Sequence, residues 1–187
     1  MRQLRPYQSD AIASLRHSLA SGKRRPMLMA PTGAGKTVIA ANIIRMARAK
    51  GNRVAFCVPM ISLIDQTVEQ FEREGIDHIG VIQADHPRKD YGAPVQVCSI
   101  LSLQAGGLID TDLIIVDEAH KVFKLIPRWM ESGKVFIGLS ATPWAPGLGK
   151  LYDDLIICST IKDLIADGHL SDFRAYAPSH PDLTGVS

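Results

Sequence analysis

Two short strings, each at the end of an apolar run, constrain this chain more than anything else in it. Met27-Leu28-Met29 runs into Ala30-Pro31-Thr32-Gly33-Ala34-Gly35-Lys36-Thr37, and Leu113-Ile114-Ile115-Val116 runs into Asp117-Glu118-Ala119-His120. A short run that is wholly apolar reads as a strand buried on both faces, the kind found in a parallel sheet. The first strand leaves through glycines and enters a helix, so backbone N–H groups and the helix N-terminus converge there on one point. The second leaves through two carboxylates at its C-terminal end, the edge where open α/β sheets bind ligands.

The residue types suggest a division of labour. Gly33 and Gly35 permit backbone angles and a close approach that a side chain would obstruct, and Thr32 and Ala34 stand on either side of Gly33 in the same loop. Lys36 is placed to reach β- and γ-phosphates, and the Thr37 hydroxyl to ligate Mg²⁺. Ala30 stands where the strict pattern has its first glycine. Asp117 suits a second Mg²⁺ ligand, and Glu118 can accept a proton from an attacking water. Lys36, Asp117 and Glu118 are therefore the expected catalytic set, acting on a nucleoside triphosphate with Mg²⁺. His120 and the hydroxyls of Ser140-Ala141-Thr142-Pro143, after another apolar strand, can bond to the acidic pair and sense its state. Taken singly, the acids could merely cap a helix, and the hydroxyls could merely form a turn before proline.

Bulk properties narrow the setting. The 187 residues make one large domain, or one domain and a fragment, with an ordinary hydrophobic content of 46%. Apolar runs fall well short of the ~20 residues of a membrane span, and the N-terminus is too polar for a signal peptide, so a cytoplasmic protein with no membrane partner is expected. Cys57, Cys98 and Cys158 are scattered in apolar contexts, which suits buried free thiols better than disulfides or zinc. The net charge of +2 hides an asymmetry. Residues 1–53 hold eleven Lys/Arg against Asp10 alone, and residues 54–187 hold ten against eighteen acids. A basic half suggests an anionic partner. Yet Arg45, Arg48 and Lys50 also fall where a helix ends, and cations there meet the helix dipole favourably.

Strand-like and helix-period segments alternate, the pattern of an α/β domain with a mainly parallel sheet and helices on both faces. Strands are expected at 27–30, 54–58, 95–100, 113–117 and 135–139, and helices at 8–20, 36–50, 62–74 and 161–167. Gly51 and Gly75 stand where left-handed helix caps belong. A first domain is expected over 1–150, with 151–187 a connecting segment.

Together these residues resemble the N-terminal, RecA-like P-loop motor lobe of a superfamily-two helicase or translocase of the Asp-Glu-Ala-His type. The likeness runs over residues 4–143. Ala30–Thr37 matches motif I, Asp117–His120 motif II and Ser140–Thr142 motif III, while Leu4-Arg5-Pro6-Tyr7-Gln8 resembles the segment that recognises adenine. Carried over, Gln8 would bond the adenine edge, with Arg5 or Tyr7 packed nearby, which implies ATP and Mg²⁺ as the cofactors. Within the family the chain looks most similar to the RadD-like and restriction-subunit helicases, which implies DNA as partner. Val58-Pro59-Met60-Ile61-Ser62 occupies motif Ia, where the family often has an arginine after the proline. Pro59 and Ser62, then Ser99 and Ser102, are the expected nucleic-acid contacts.

The resemblance further implies a second RecA-like lobe, in cis or in trans, supplying arginine fingers worth ~10³ to 10⁵ in rate. Beyond residue 143 the sequence holds one arginine, Arg174, in a context unlike the finger motif. Weak or absent turnover by this chain alone is the expectation. Translocation on duplex without strand separation, a non-enzymatic ATP-dependent clamp on nucleic acid, and an ATPase outside nucleic-acid work are the other readings.

Overall fold

The computed structural model describes residues 2–172. In chain order its helices are α1 (Pro6–Ala20), α2 (Lys36–Arg48), α3 (Ile64–Arg73), α4 (Ile100–Gly106), α5 (Leu125–Met130), α6 (Leu148–Leu151) and α7 (Ile161–Ala166). Its strands are β1 (Pro26–Met29), β2 (Val54–Val58), β3 (Ile79–Ile82), β4 (Val95–Ser99), β5 (Leu113–Val116), β6 (Val135–Ser140) and β7 (Asp154–Ile157). The strands form one sheet in the order β3-β4-β2-β5-β6-β1-β7, and every neighbouring pair is parallel. This is the RecA-like α/β fold.

Strand side chains alternate between two cores. Val54, Phe56, Val58, Leu113, Ile115, Ile137 and Leu139 face one core with α1, α2, α3 and Leu164 of α7. Ala55, Cys57, Ile114, Val116 and Phe136 face the other with α4, α5 and α6. Both faces are thus covered, which is why the central strands carry no polar alternation. Aromatic pairs lock helix to strand on each side: Phe56 meets Phe71 edge to face at 4.8 Å, and Trp129 meets Phe136 at 5.6 Å. The three cysteines are buried and free.

Strand order places the functional edge. β5, β6 and β1 lie side by side, so the loop leaving β1 and the carboxylates leaving β5 flank the end of β6. Ala30 N–H donates to Ser140 C=O at 2.9 Å, and Ala119 N–H donates to Leu139 C=O at 2.9 Å, tying both exits to β6.

The sheet does not stop near residue 150. Residues 154–157, expected in a connecting segment, pair with β1 along its full length from Pro26↔Asp154 to Met29↔Ile157. β3 also escaped the sequence reading, because Ile79-Gly80-Val81-Ile82 is four residues long and interrupted by glycine. Gly51, Gly75 and Gly168 have φ of +81°, +79° and +69°, as their capping positions require. Arg174 lies outside the described residues.

Candidate functional site

The phosphate-type loop spans residues 30–35. Ala34 N–H donates to Pro31 C=O at 3.0 Å, and Gly33 and Gly35 take φ of +85° and +81°. Gly35 is also the N-cap of α2. Val38 N–H and Ile39 N–H donate back to Gly35 C=O at 3.0 and 3.1 Å, and the N–H groups of Lys36 and Thr37, at the very start of α2, have no preceding helical carbonyl to bond.

The acidic pair sits opposite. Lys36 Nζ lies 2.8 Å from Glu118 Oε1, with both side chains partly exposed. Asp117 N–H donates to Cys57 C=O at 2.9 Å, which carries β5 one step beyond its last paired residue. Burial, more than any other cause, pushes the Asp117 carboxyl above its ordinary range; Lys36 opposes the shift and Glu118 adds to it. Glu118 takes φ of +48°, a left-handed angle rare for a non-glycine residue and frequent at functional sites. That turn separates two adjacent acids: the carboxylate of Glu118 meets Lys36, while Asp117 faces α3.

Thr37 and Asp117 line one small cavity of about 220 Å³, together with Gln66, Thr67 and Gln70 of α3. A hydroxyl, a carboxylate and amide oxygens are hard donors, the set Mg²⁺ prefers, and ligands of this kind leave room for water and phosphate. Among the described residues, no group of three or more His, Cys, Asp or Glu side chains could hold a metal ion. The α3 residues escaped sequence reasoning. Their signal was the i, i+4 pair Gln66 and Gln70 on a helix otherwise read for its apolar face.

A polar chain leads away from the carboxylates. His120 Nδ1 is 3.4 Å from Glu118 Oε2 and 2.9 Å from Ser140 Oγ, and Thr142 N–H donates to Ser140 Oγ at 3.0 Å. Ser140 is fully buried, Thr142 exposed. His120, Ser140 and Thr142 are therefore in contact as a group.

Gln8 is buried against the loop. Its Nε2 donates to Ala34 C=O at 2.8 Å and its Oε1 accepts from Arg5 N–H at 3.0 Å. Tyr7 Oη donates to the same Ala34 carbonyl at 3.2 Å, and Arg5 Nη1 donates to Tyr7 Oη at 3.1 Å. Each end of the Gln8 amide already bonds the chain's own backbone, leaving one N–H and one lone pair for any base.

The four expected nucleic-acid contacts divide. Ser62 is exposed in a 3₁₀ turn (Ile61–Leu63) ahead of α3, and Ser102 is half-buried on α4. Pro59 is buried. Ser99 is also fully buried, with a hydroxyl that finds no partner, because it ends a strand covered on both faces. The structure does not bring Ser99 to the surface. Among the described residues, no helix is long and apolar enough to cross a membrane.

Comparison with known proteins bears on this arrangement. The family profile of the type III restriction enzyme res subunit matches residues 1–145. The type I restriction enzyme EcoAI endonuclease subunit of Escherichia coli is 29% identical over 198 residues, covering 91% of this chain and 23% of that protein. Among solved structures, the UvsW helicase of bacteriophage T4 superposes with a TM-score of 0.68 at 20% identity, over 83% of this chain and 60% of that one. The type ISP restriction-modification enzyme LlaGI, solved with a DNA substrate mimic, superposes with a TM-score of 0.67 at 18% identity, over 90% of this chain and 21% of that one. At such identities these two show a shared fold. The chain spans about a third or less of the length of the curated relatives it matches.

Proposed function

The chain belongs to the family of the type III restriction enzyme res subunit, its domain is the N-terminal motor lobe of a superfamily-two helicase, and on that premise we propose that it binds Mg-ATP, hydrolyses it, and couples the cycle to movement on DNA. The observation that carries this reading is the 2.8 Å approach of Lys36 to Glu118 across the loop. The cation that would hold β- and γ-phosphates is now held by the carboxylate that would activate water.

The pairing suggests how binding arms the site. A polyphosphate seated on the loop offers Lys36 a denser anion than Glu118 does. Lys36 then turns to the phosphates and releases Glu118, whose carboxylate becomes free to accept a proton from water in line with the γ-phosphate. Thr37 and Asp117 would hold Mg²⁺, Asp117 directly or through water. Mg²⁺ would supply neutralisation of charge building on the phosphate oxygens. Arg5, Tyr7 and Gln8 would flank the adenine, with Gln8 using its remaining N–H and lone pair. Thr32, Gly33, Ala34 and Gly35 would give backbone contacts. His120 would relay the state of Glu118 through Ser140 to Thr142, and so toward a strand lying over Ser62 and Ser102.

A second RecA-like lobe, in cis or in trans, would complete the engine, in keeping with relatives that are much longer than this chain. Turnover by residues 1–187 alone should then be slow. The test is steady-state Mg-ATP hydrolysis with and without single- and double-stranded DNA. Lys36→Ala should lose nucleotide affinity; Glu118→Gln should keep binding while its turnover falls by at least ~10²-fold. Tight Mg-ATP binding by Lys36→Ala, or normal turnover by Glu118→Gln, would remove these assignments.

The restriction-enzyme family favours a second reading, movement along duplex without strand separation. A strand-displacement assay on a protein carrying both lobes separates the two readings. ATP-dependent movement without displaced strand would make it a translocase.

A further inference from the structure

The phosphate loop is braced from behind at both glycines. A Cβ added to Gly35 would lie 2.6 Å from Gln8 Nε2, and one added to Gly33 would lie 2.6 Å from Leu170 Cδ2. Gln8 belongs to α1. Leu170 arrives from the far side of β7, beyond the region matched to the family.

The turn that carries Leu170 is itself fixed. Gly168 takes φ of +69° and reverses the chain after α7. His169 N–H and Leu170 N–H then both donate to Leu164 C=O, at 2.7 and 2.9 Å, and the Leu164 side chain is fully buried. The His169 ring packs 5.5 Å from that of Tyr7, tilted by 52°, and Tyr7 Oη donates to Ala34 C=O. The turn therefore meets the loop twice, at Gly33 directly and at Ala34 through Tyr7.

We infer that the Gly168–Leu170 turn is a built part of the nucleotide site, with Leu170 the positioning residue that holds the phosphate loop in its anion-binding shape. This rests on the nucleotide reading given above. A loop with two left-handed glycines has many other conformations open to it. A leucine seated on Gly33 excludes those conformations before the ligand arrives, so less ordering is left for binding to do. Leu170 touches no reacting atom in this scheme; it acts through Gly33.

The experiment is Mg-ATP binding by the full chain carrying Leu170→Ala, Leu170→Met or Ile156→Ala, at a temperature where all are folded. Ile156 is a buried residue of β7 in the same core and serves as the control for general loosening. Leu170→Ala should weaken Mg-ATP binding about tenfold, Leu170→Met should restore it to within about twofold, and Ile156→Ala should lower the melting temperature while keeping affinity. Unchanged affinity in Leu170→Ala overturns the inference. So does a parallel fall in Leu170→Ala and Ile156→Ala, which would mark a packing residue and nothing more. Failure of the unsubstituted chain to bind Mg-ATP would instead overturn the nucleotide reading itself.

Discussion

Burial holds the Asp117 carboxyl above its ordinary 3.8 against the pull of Lys36. A carboxyl raised on folding stabilises the fold when protonated. That contribution is whole below the unfolded value and is lost as pH rises through the folded one. Asp117→Asn is neutral at every pH. It should therefore raise the melting temperature of the nucleotide-free chain near pH ~7, and the gain should vanish as pH falls below about 4. Thermal scans across that range check it, and a lowered midpoint at neutral pH would mean attraction to Lys36 outweighs desolvation. At this scale the sequence was informative where chemistry demands particular letters: Gly33, Gly35, Lys36, Thr37, Asp117 and Glu118 all meet at one sheet edge. It was silent on the left-handed turn at Glu118, since a glutamate carries no signal for positive φ. It misled on Ser99, where a hydroxyl beside a strand end suggested a surface and a covered strand buried it.

β6 joins the loop to the acidic pair, and its one glycine explains how closely. A Cβ on Gly138 would lie 2.6 Å from the Tyr152 ring and 3.0 Å from Ala119 Cβ, the residue after Glu118. The ring of Tyr152 is held in the second core beside Ala119, so neither neighbour has space to retreat. Gly138→Ala should cost about 1–3 kcal/mol by overpacking and should impair turnover more than nucleotide binding, because the displaced residue borders the base and not the loop. Denaturant midpoints and a comparison of kcat with KM check both parts. The strands that position the site were legible although β1 and β5 are only four residues long, because each runs straight into a motif that marks its end. The missed strands, β3 and β7, are four residues long. β3 is broken by a glycine, and β7 begins with an acid and takes its place from β1, more than a hundred residues earlier, which no local pattern records.

For the molecule as a whole, topology gathers much of the charge of the basic first segment at one edge of the sheet. Lys23, Arg24 and Arg25 precede β1, and Arg45, Arg48, Lys50 and Arg53 lie between the end of α2 and the start of β2. All seven thus collect at the N-terminal edge of the sheet, opposite the edge that carries the phosphate-type loop and the acidic pair. Arg48 donates to Asn52 C=O at 2.6 Å, Arg45 donates to Glu74 C=O at 2.6 Å, and Arg25 faces Asp153. Neutralising Arg48 and Lys50 together should leave the salt dependence of DNA binding unchanged. A true phosphate contact would instead add about −0.9 to the slope of log K against log salt. A shallower slope in the double variant would show that this edge does meet DNA. Charge counted along the chain could not tell the two edges apart; topology does.

Topology also sets a timetable. β1, which carries the phosphate loop, pairs only with β6 and β7, while the strands made between them pair among themselves. On a ribosome adding about 5–20 residues each second, Met29 waits roughly 6 to 20 seconds for Ser140 to be joined to the chain. Until then β1 is an apolar strand with both edges open, an invitation to chaperones and to other nascent chains. The strand that carries the phosphate-type loop is thus the first of the sheet to be made and among the last to find its partners.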